Sequence, residues 1–142
     1  MGKKRKPKYN YVYVEPTPTY LYNSSFDLCI KASSIKHGGL GVFTNENISG
    51  FVHLGNYTGE MKHDSMMPCL YGSYALDLKS EKYIDAGDYP RSVFAMINDA
   101  RFSEYENNCE FRIFSDRAEV WSTKDISIGE ELFISYGEDY WL

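Results

Sequence analysis

The sequence has few of the residues that build metal sites and disulfide frameworks. Its three cysteines and three histidines are scattered, with no C-x-x-C pair and no ligand spacing: Cys29, Cys69, Cys109, His37, His53 and His63. An odd number of separated cysteines predicts neither a zinc site nor a disulfide framework. We therefore expect no metal, and a reducing intracellular compartment.

Long apolar runs are also missing. No stretch approaches the ~20 apolar residues of a membrane helix, and no apolar signal segment follows the basic start of the chain. We expect a soluble protein with no membrane partner. The 142 residues suffice for one domain with its own core, and 13 tyrosines and 8 phenylalanines favour strands over helices. Only residues 91–97 have a pattern that predicts one or two helical turns.

Acidic residues are absent from the first eight positions, which carry five of the positive charges: Lys3, Lys4, Arg5, Lys6 and Lys8. Removing these five from the net charge of −5 leaves −10 on the rest of the chain. Such a body attracts a cationic peptide and argues against direct DNA binding by the folded part. The basic tail is a nuclear address, an arm that contacts nucleic acid, or a plain solubilising terminus.

The chain divides at about residue 25. Residues 9–14 alternate as a short strand or extended arm, which Pro16 and Pro18 end. We predict a basic tail and tyrosine-rich arm over residues 1–25 and a compact domain over residues 26–142. Short β-prone runs separated by turn residues predict a small, mainly β domain.

Six short motifs carry the chemical information. In chain order they are 39–43 (GLGVF), 57–60 (YTGE), 83–86 (YIDA), 96–98 (MIN), 108–110 (NCE) and 125–137 (DISIGEELFISYG). Glycines around residue 39 let the backbone approach a ligand. No helix pattern follows them, so this turn is neither a Walker loop nor a Rossmann turn.

In this order and spacing, the motifs resemble those of SET-domain lysine methyltransferases over residues 26–142. The ending, residues 134–142 (ISYGEDYWL), is similar to the small SET proteins of large DNA viruses. The resemblance implies a SET fold of short curled sheets, with little helix and a C-terminal pseudoknot. It also implies S-adenosylmethionine as the cofactor and a protein lysine, most simply on a histone tail, as the substrate.

The resemblance assigns roles to individual residues. Tyr136 is expected beside the transferring methyl group, and Tyr57 in the channel of the target lysine. The expected cofactor contacts are Gly39, Leu40, Gly41, Asn98, Asp99, Tyr136 and Trp141. The expected substrate contacts are Tyr57, Tyr74, Leu76, Ile134 and Tyr140. Trp141 has an equal alternative as a C-terminal plug, and the pair at 130–131 is expected to be structural.

Asp99 departs from the family pattern, which has histidine after the motif asparagine. Its main chain could still serve the adenine of the cofactor, whereas a side-chain role would change. Three alternatives stay open: an inactive SET-like module that binds basic peptides or chromatin, a methyltransferase with a non-histone substrate, and a β-rich partner-binding protein that dimerises through its tyrosine arm. Nucleosome contact through the basic tail and a homodimer are further expectations. A nuclear location would suit a histone substrate.

Overall fold

The computed structural model describes residues 17–63 and 74–138, which form short strands and one 3-10 helix. The strands of these two ranges are β1 (Tyr20–Leu21), β2 (Leu28–Ala32), β3 (Leu40–Thr44), β4 (His53–Tyr57), β5 (Glu60–His63), β6 (Ala75–Asp77), β7 (Lys82–Asp85), β8 (Arg91–Ser92), β9 (Cys109–Ile113), β10 (Ala118–Ser122) and β11 (Glu131–Leu132). The 3-10 helix spans Val93–Met96 and begins after Ser92, whose hydroxyl accepts a hydrogen bond from the Phe94 N–H. The prediction of a mainly β fold with little helix is confirmed.

The strands form four small sheets. Three have three strands each, in the orders β4-β10-β9, β11-β3-β2 and β5-β7-β6, and their pairs are antiparallel. The fourth sheet is the parallel pair of β1 and β8. Sheets of two or three short strands are only marginally stable by themselves. The side chains between the sheets must therefore hold the domain together.

The core is built from aliphatic side chains of all three larger sheets. Val42, Leu54, Ile84, Val120 and Leu132 are each at most 4 % exposed. Burying a side chain of this size contributes about 1.5–3 kcal/mol. The core therefore joins the three sheets into one unit.

The C-terminal segment runs between the two ends of the loop over residues 99–107. On one side the Ile134 N–H donates to the Asn98 carbonyl at 2.9 Å. On the other, the Phe133 carbonyl accepts from the N–H groups of Asn108 and Cys109 at 3.0 and 2.9 Å. This is the arrangement expected of the pseudoknot, and it ties together stretches that are 24 to 36 residues apart in sequence.

The residues before position 26 contact the rest of the domain. The Asn23 side chain donates to the Asn56 carbonyl at 2.7 Å, and the Ser25 N–H donates to the Leu54 carbonyl at 2.8 Å. Of the predicted basic tail and arm over residues 1–25, residues 1–16 lie outside the described residues. Within residues 17–63 and 74–138, no helix is long and apolar enough to cross a membrane. The same residues contain no group of three His, Cys, Asp or Glu placed to hold a metal ion.

Candidate active site

A cavity of about 490 Å³ opens between the turn before β3, the 3-10 helix and the C-terminal segment. Its volume falls within the range of sites for small molecules and cofactors. Residues from four of the six motifs line it, namely Gly39, Leu40, Tyr57, Asn98 and Tyr136. Two of the expected substrate contacts, Tyr74 and Leu76, line it as well. The fold therefore brings most of the predicted site residues to one place.

The turn before β3 is held by a buried carboxylate. Gly39 has a φ of +63°, a conformation that glycine adopts without strain. A Cβ at Gly41 would collide with the carboxylate of Glu131. That carboxylate accepts hydrogen bonds from the Ser33 hydroxyl and the Ser34 N–H, both at 2.7 Å. Glycine at position 41 is therefore needed because Glu131 occupies the space of a side chain, and Glu131 in turn fixes the turn.

Asn98 connects this turn to the C-terminal segment. It follows the 3-10 helix directly, and its side-chain N–H₂ donates to the Leu40 carbonyl at 2.9 Å. The same nitrogen lies 3.5 Å from the Glu131 carboxylate. The asparagine thus holds the wall of the cavity that the sequence assigned to the cofactor.

Tyr136 is positioned through both its ring and its backbone. Its hydroxyl donates to the Ile97 carbonyl at 2.6 Å. Its N–H donates to the Asp99 carboxylate at 2.9 Å, and the same carboxylate accepts from the Arg101 N–H and the Asn107 side chain. Asp99 lies outside the cavity lining. The residue that departs from the family pattern therefore anchors the backbone of the predicted catalytic tyrosine.

Tyr57 presents the second hydroxyl of the cavity. It donates to the Tyr74 carbonyl at 2.5 Å, and its ring meets Phe111 edge to face at 5.9 Å between centroids. Burial, and next the proximity of Tyr136, raise the pKa of Tyr57 well above its usual range. The hydroxyl therefore stays protonated at any physiological pH and acts as a fixed donor.

Besides Asp99, two predicted site residues are placed outside the cavity lining, Ile134 and Gly41. Ile134 is fully buried and bridges to Cys109, outside the cavity lining. Gly41 is covered by Glu131 and acts through the shape of the turn. Tyr140 and Trp141 lie outside the described residues.

Sequence reasoning missed Arg91, a cavity residue that is only 7 % exposed. Its guanidinium lies 3.8 Å from the ring centre of Tyr74 and 4.4 Å from that of Tyr89. Tyr20 of β1 meets Tyr89 edge to face. The available signal was an arginine at the start of an otherwise apolar stretch, residues 91–97, because a charge there must either reach the surface or find partners.

The domain is therefore a set of small sheets whose C-terminal segment is held at both ends of a loop. Two tyrosine hydroxyls lie at its cavity. The sequence matches the SET domain family over residues 39–137, and the chain belongs to that family. The comparison with curated proteins found no significant match.

Structures of polycomb repressive complex 2 are among the solved structures with the same fold. One is "ctPRC2 in an autoinhibited conformation bound to S-adenosylmethionine", with 24 % identity and a TM-score of 0.64 over 80 % of this chain. A second is "ctPRC2 in complex with H3K27me3 and H3K27M", with 24 % identity and a TM-score of 0.65 over 80 % of this chain. A third is a humanized mutant of the Chaetomium thermophilum complex bound to an inhibitor, with 23 % identity, a TM-score of 0.64 and 80 % coverage. This chain spans about 15 % of the length of each of these chains.

Proposed function

We propose that this SET domain is a protein-lysine N-methyltransferase that uses S-adenosylmethionine. The observation that carries the proposal is the cavity itself, where two tyrosine hydroxyls fixed on main-chain carbonyls meet the glycine turn and Asn98. Membership of the SET family supports the reaction class. A structure with the same fold is bound to S-adenosylmethionine, which supports the cofactor.

The residues present fit that cofactor. The position of a Cβ on Gly39 has no atom within 4 Å, so the turn leaves open space beside the cavity. Aromatic rings and main-chain carbonyls suit a cationic sulfonium. Asn98 and Leu40 are already joined by a hydrogen bond, so this wall needs little reordering on binding. When bound, S-adenosylmethionine supplies an electrophilic methyl group.

The protein's own residues align and desolvate the target amine. Tyr136 uses its proton on the Ile97 carbonyl, so toward an amine N–H in the cavity its oxygen acts as an acceptor. Tyr57 is fixed in the same way on Tyr74. A lysine has an ordinary pKa of about 10.4, and moving it into an apolar channel lowers that pKa toward the neutral form. The reaction therefore needs positioning more than a strong base.

We propose that the substrate is a lysine in a basic protein tail, with a histone as the first candidate. Among the described strands, β6 lies at an edge of its sheet, and sheet edges are where extended peptides pair. The acidic body favours a cationic partner. A structure of the same fold is a complex with H3K27me3 and H3K27M, and this supports the histone assignment.

Several finer assignments are proposals as well. A non-histone substrate, a nuclear location, nucleosome contact through the basic tail, a homodimer and closeness to the viral members rest on the sequence. So does the division of the chain at residue 25, although the hydrogen bonds of Asn23 and Ser25 favour an earlier start of the domain. The inactive peptide-binding module is the alternative outside the enzyme class.

Methyl transfer tests the proposal directly. Labelled methyl from S-adenosylmethionine is offered to core histones, nucleosomes and histone peptides by the wild type, Tyr136→Phe and Tyr22→Phe. Tyr22 is 50 % exposed and serves as the matched control. Loss of the Tyr136 hydroxyl should lower kcat by about 100-fold or more, whereas Tyr22→Phe should leave it unchanged.

The possible outcomes separate the alternatives. Incorporation that collapses only in Tyr136→Phe supports the enzyme and identifies the substrate class. No incorporation on any substrate, together with no cofactor binding by calorimetry, would refute the enzyme and favour the peptide-binding module. Cofactor binding without incorporation would point to a different protein substrate.

A further inference from the structure

Arg91 carries a buried positive charge without a carboxylate partner among the residues that the structure describes. Asp85 directly precedes Ala86 and Gly87, whose carbonyls accept from Arg91. Its carboxylate pairs instead with Lys62 at 2.7 Å. A buried cation is costly unless it is paired or satisfied by hydrogen bonds. The guanidinium must therefore be satisfied by acceptors other than the carboxylates of these residues.

The hydrogen bonds of Arg91 use only part of its donors. Nε donates to the Ala86 carbonyl at 3.0 Å, and one terminal nitrogen donates to the Gly87 carbonyl at 2.6 Å. The other terminal nitrogen has the sulfur of Met96 as its recorded acceptor, at 3.9 Å, and a thioether accepts weakly. Since Arg91 lines the cavity, this nitrogen can donate to an oxygen of a molecule bound there.

The position of Arg91 separates it from the cofactor wall. Its guanidinium stacks on Tyr74 and Tyr89, whereas the cofactor wall is formed by Leu40 and Asn98. Tyr74 precedes β6, the edge strand at which we propose that the peptide pairs, and its carbonyl holds the Tyr57 hydroxyl. Tyr74 thus contacts both the guanidinium and the tyrosine of the lysine channel.

An extended peptide would bring a second side chain to this point. In a strand, residues i and i±2 point to the same face and are about 6.5–7 Å apart. With the target lysine at Tyr57, the side chain two positions away faces the region of Tyr74 and Arg91. Because two carbonyls and two rings already fix the guanidinium, it would bind an oxygen acceptor without first being ordered.

We propose that Arg91 is a specificity-determining residue that selects a carboxylate side chain two positions from the target lysine. This inference rests on the proposed methyltransferase function and adds a sequence preference to it. The preference is opposite in sign to the general attraction of the acidic body for cationic peptides. The two effects can therefore be told apart.

The test uses eleven-residue alanine-based peptides with one central lysine. Asp, Ala or Arg is placed at position −2 or +2, and a control peptide carries Asp at +5, out of reach of Arg91. For the wild type, kcat/KM at one of the two positions should be about tenfold or more higher with Asp than with Arg, the size of a charge-assisted hydrogen bond. Asp at +5 should give no such gain, and Arg91→Gln should remove the preference while methylating the Ala peptide.

The result that overturns the inference is a wild type that accepts Arg as well as Asp at both positions, or an Asp preference that survives in folded Arg91→Gln. If Arg91→Gln does not fold, the position dependence in the wild type decides by itself, and Arg91→Lys shows whether charge alone suffices. If no peptide is methylated, anisotropy with fluorescein-labelled copies of the same peptides decides the Asp preference. Absence of methyl transfer on every substrate would then count against the proposed function, and absence of the Asp preference against Arg91.

Discussion

Replacing Glu131 by glutamine should destabilise the domain and loosen the glycine turn. Glu131 is 5 % exposed and accepts hydrogen bonds from the Ser33 hydroxyl and the Ser34 N–H, both at 2.7 Å. One of its oxygens also faces the Asn98 nitrogen at 3.5 Å. Glutamine has nearly the same shape, so the change removes the charge and one acceptor without opening a cavity.

The expected loss follows from these bonds. A hydrogen bond to a charged group contributes about 1.5–3 kcal/mol, and a neutral one about 0.5–1.5 kcal/mol. The bond from Ser34 survives in neutral form, and the Ser33 hydroxyl can rotate to accept. The glutamine N–H₂ must then face the N–H₂ of Asn98. We expect a loss of about 2 kcal/mol in the free energy of unfolding, obtained by converting two charge-assisted bonds to neutral ones.

Urea unfolding followed by tryptophan fluorescence measures this loss, with Glu130→Gln as the matched control. Glu130 is adjacent in sequence but exposed, so its variant should stay within about 0.5 kcal/mol of the wild type. S-adenosylmethionine affinity by calorimetry should fall in Glu131→Gln and not in Glu130→Gln. Equal stability of the two variants would refute the assignment of Glu131 as the support of the turn.

Two further predictions concern titrating groups. Burial raises the pKa of the Cys109 thiol to about 12. In a Cys69→Ala background, Ellman's reagent at pH 8 should therefore modify Cys29 quickly and Cys109 only after urea is added. Rapid modification of both thiols in the native state would contradict this. The hydrogen bond from Lys62, and next that from a backbone N–H, lowers the pKa of Asp85 below its usual 3.8. The contribution of Asp85 to stability is therefore complete above pH 3.8 and is lost as the pH falls below that value. The difference in unfolding free energy between wild type and Asp85→Asn should narrow in acid. A difference that stays constant from pH 7 to pH 3 would argue against the contact between Lys62 and Asp85.

The fold class could be predicted because its signals are local. Aromatic and β-branched runs separated by turn residues indicate short strands, and β9 and β10 form a hairpin around residues 115–117 as such a pattern suggests. The 3-10 helix falls within residues 91–97, where helical turns were expected. The pairing of sheets was not readable in this way, because contacts such as those of β11 with β3 join residues about 90 positions apart.

Parts of the site were predictable for a different reason. Gly39, Asn98 and Tyr136 stand in motifs whose order resembles a family, and the cavity brings them together. Arg91 stands in no motif, so its burial depends on Tyr74 and Tyr89, which lie 17 and 2 positions away. Local spacing carries no information about such a contact.

The sequence by itself determined the strand-rich character, the family resemblance and the residue types of the site, because these depend on composition and on short motifs. Only the tertiary structure decided which of two neighbouring glutamates is buried, since residues 130 and 131 differ only in the face of the chain they occupy. It also decided that Asp99 holds the backbone of Tyr136. Burial and partnership arise from segments that meet in space, and a linear pattern does not specify that meeting.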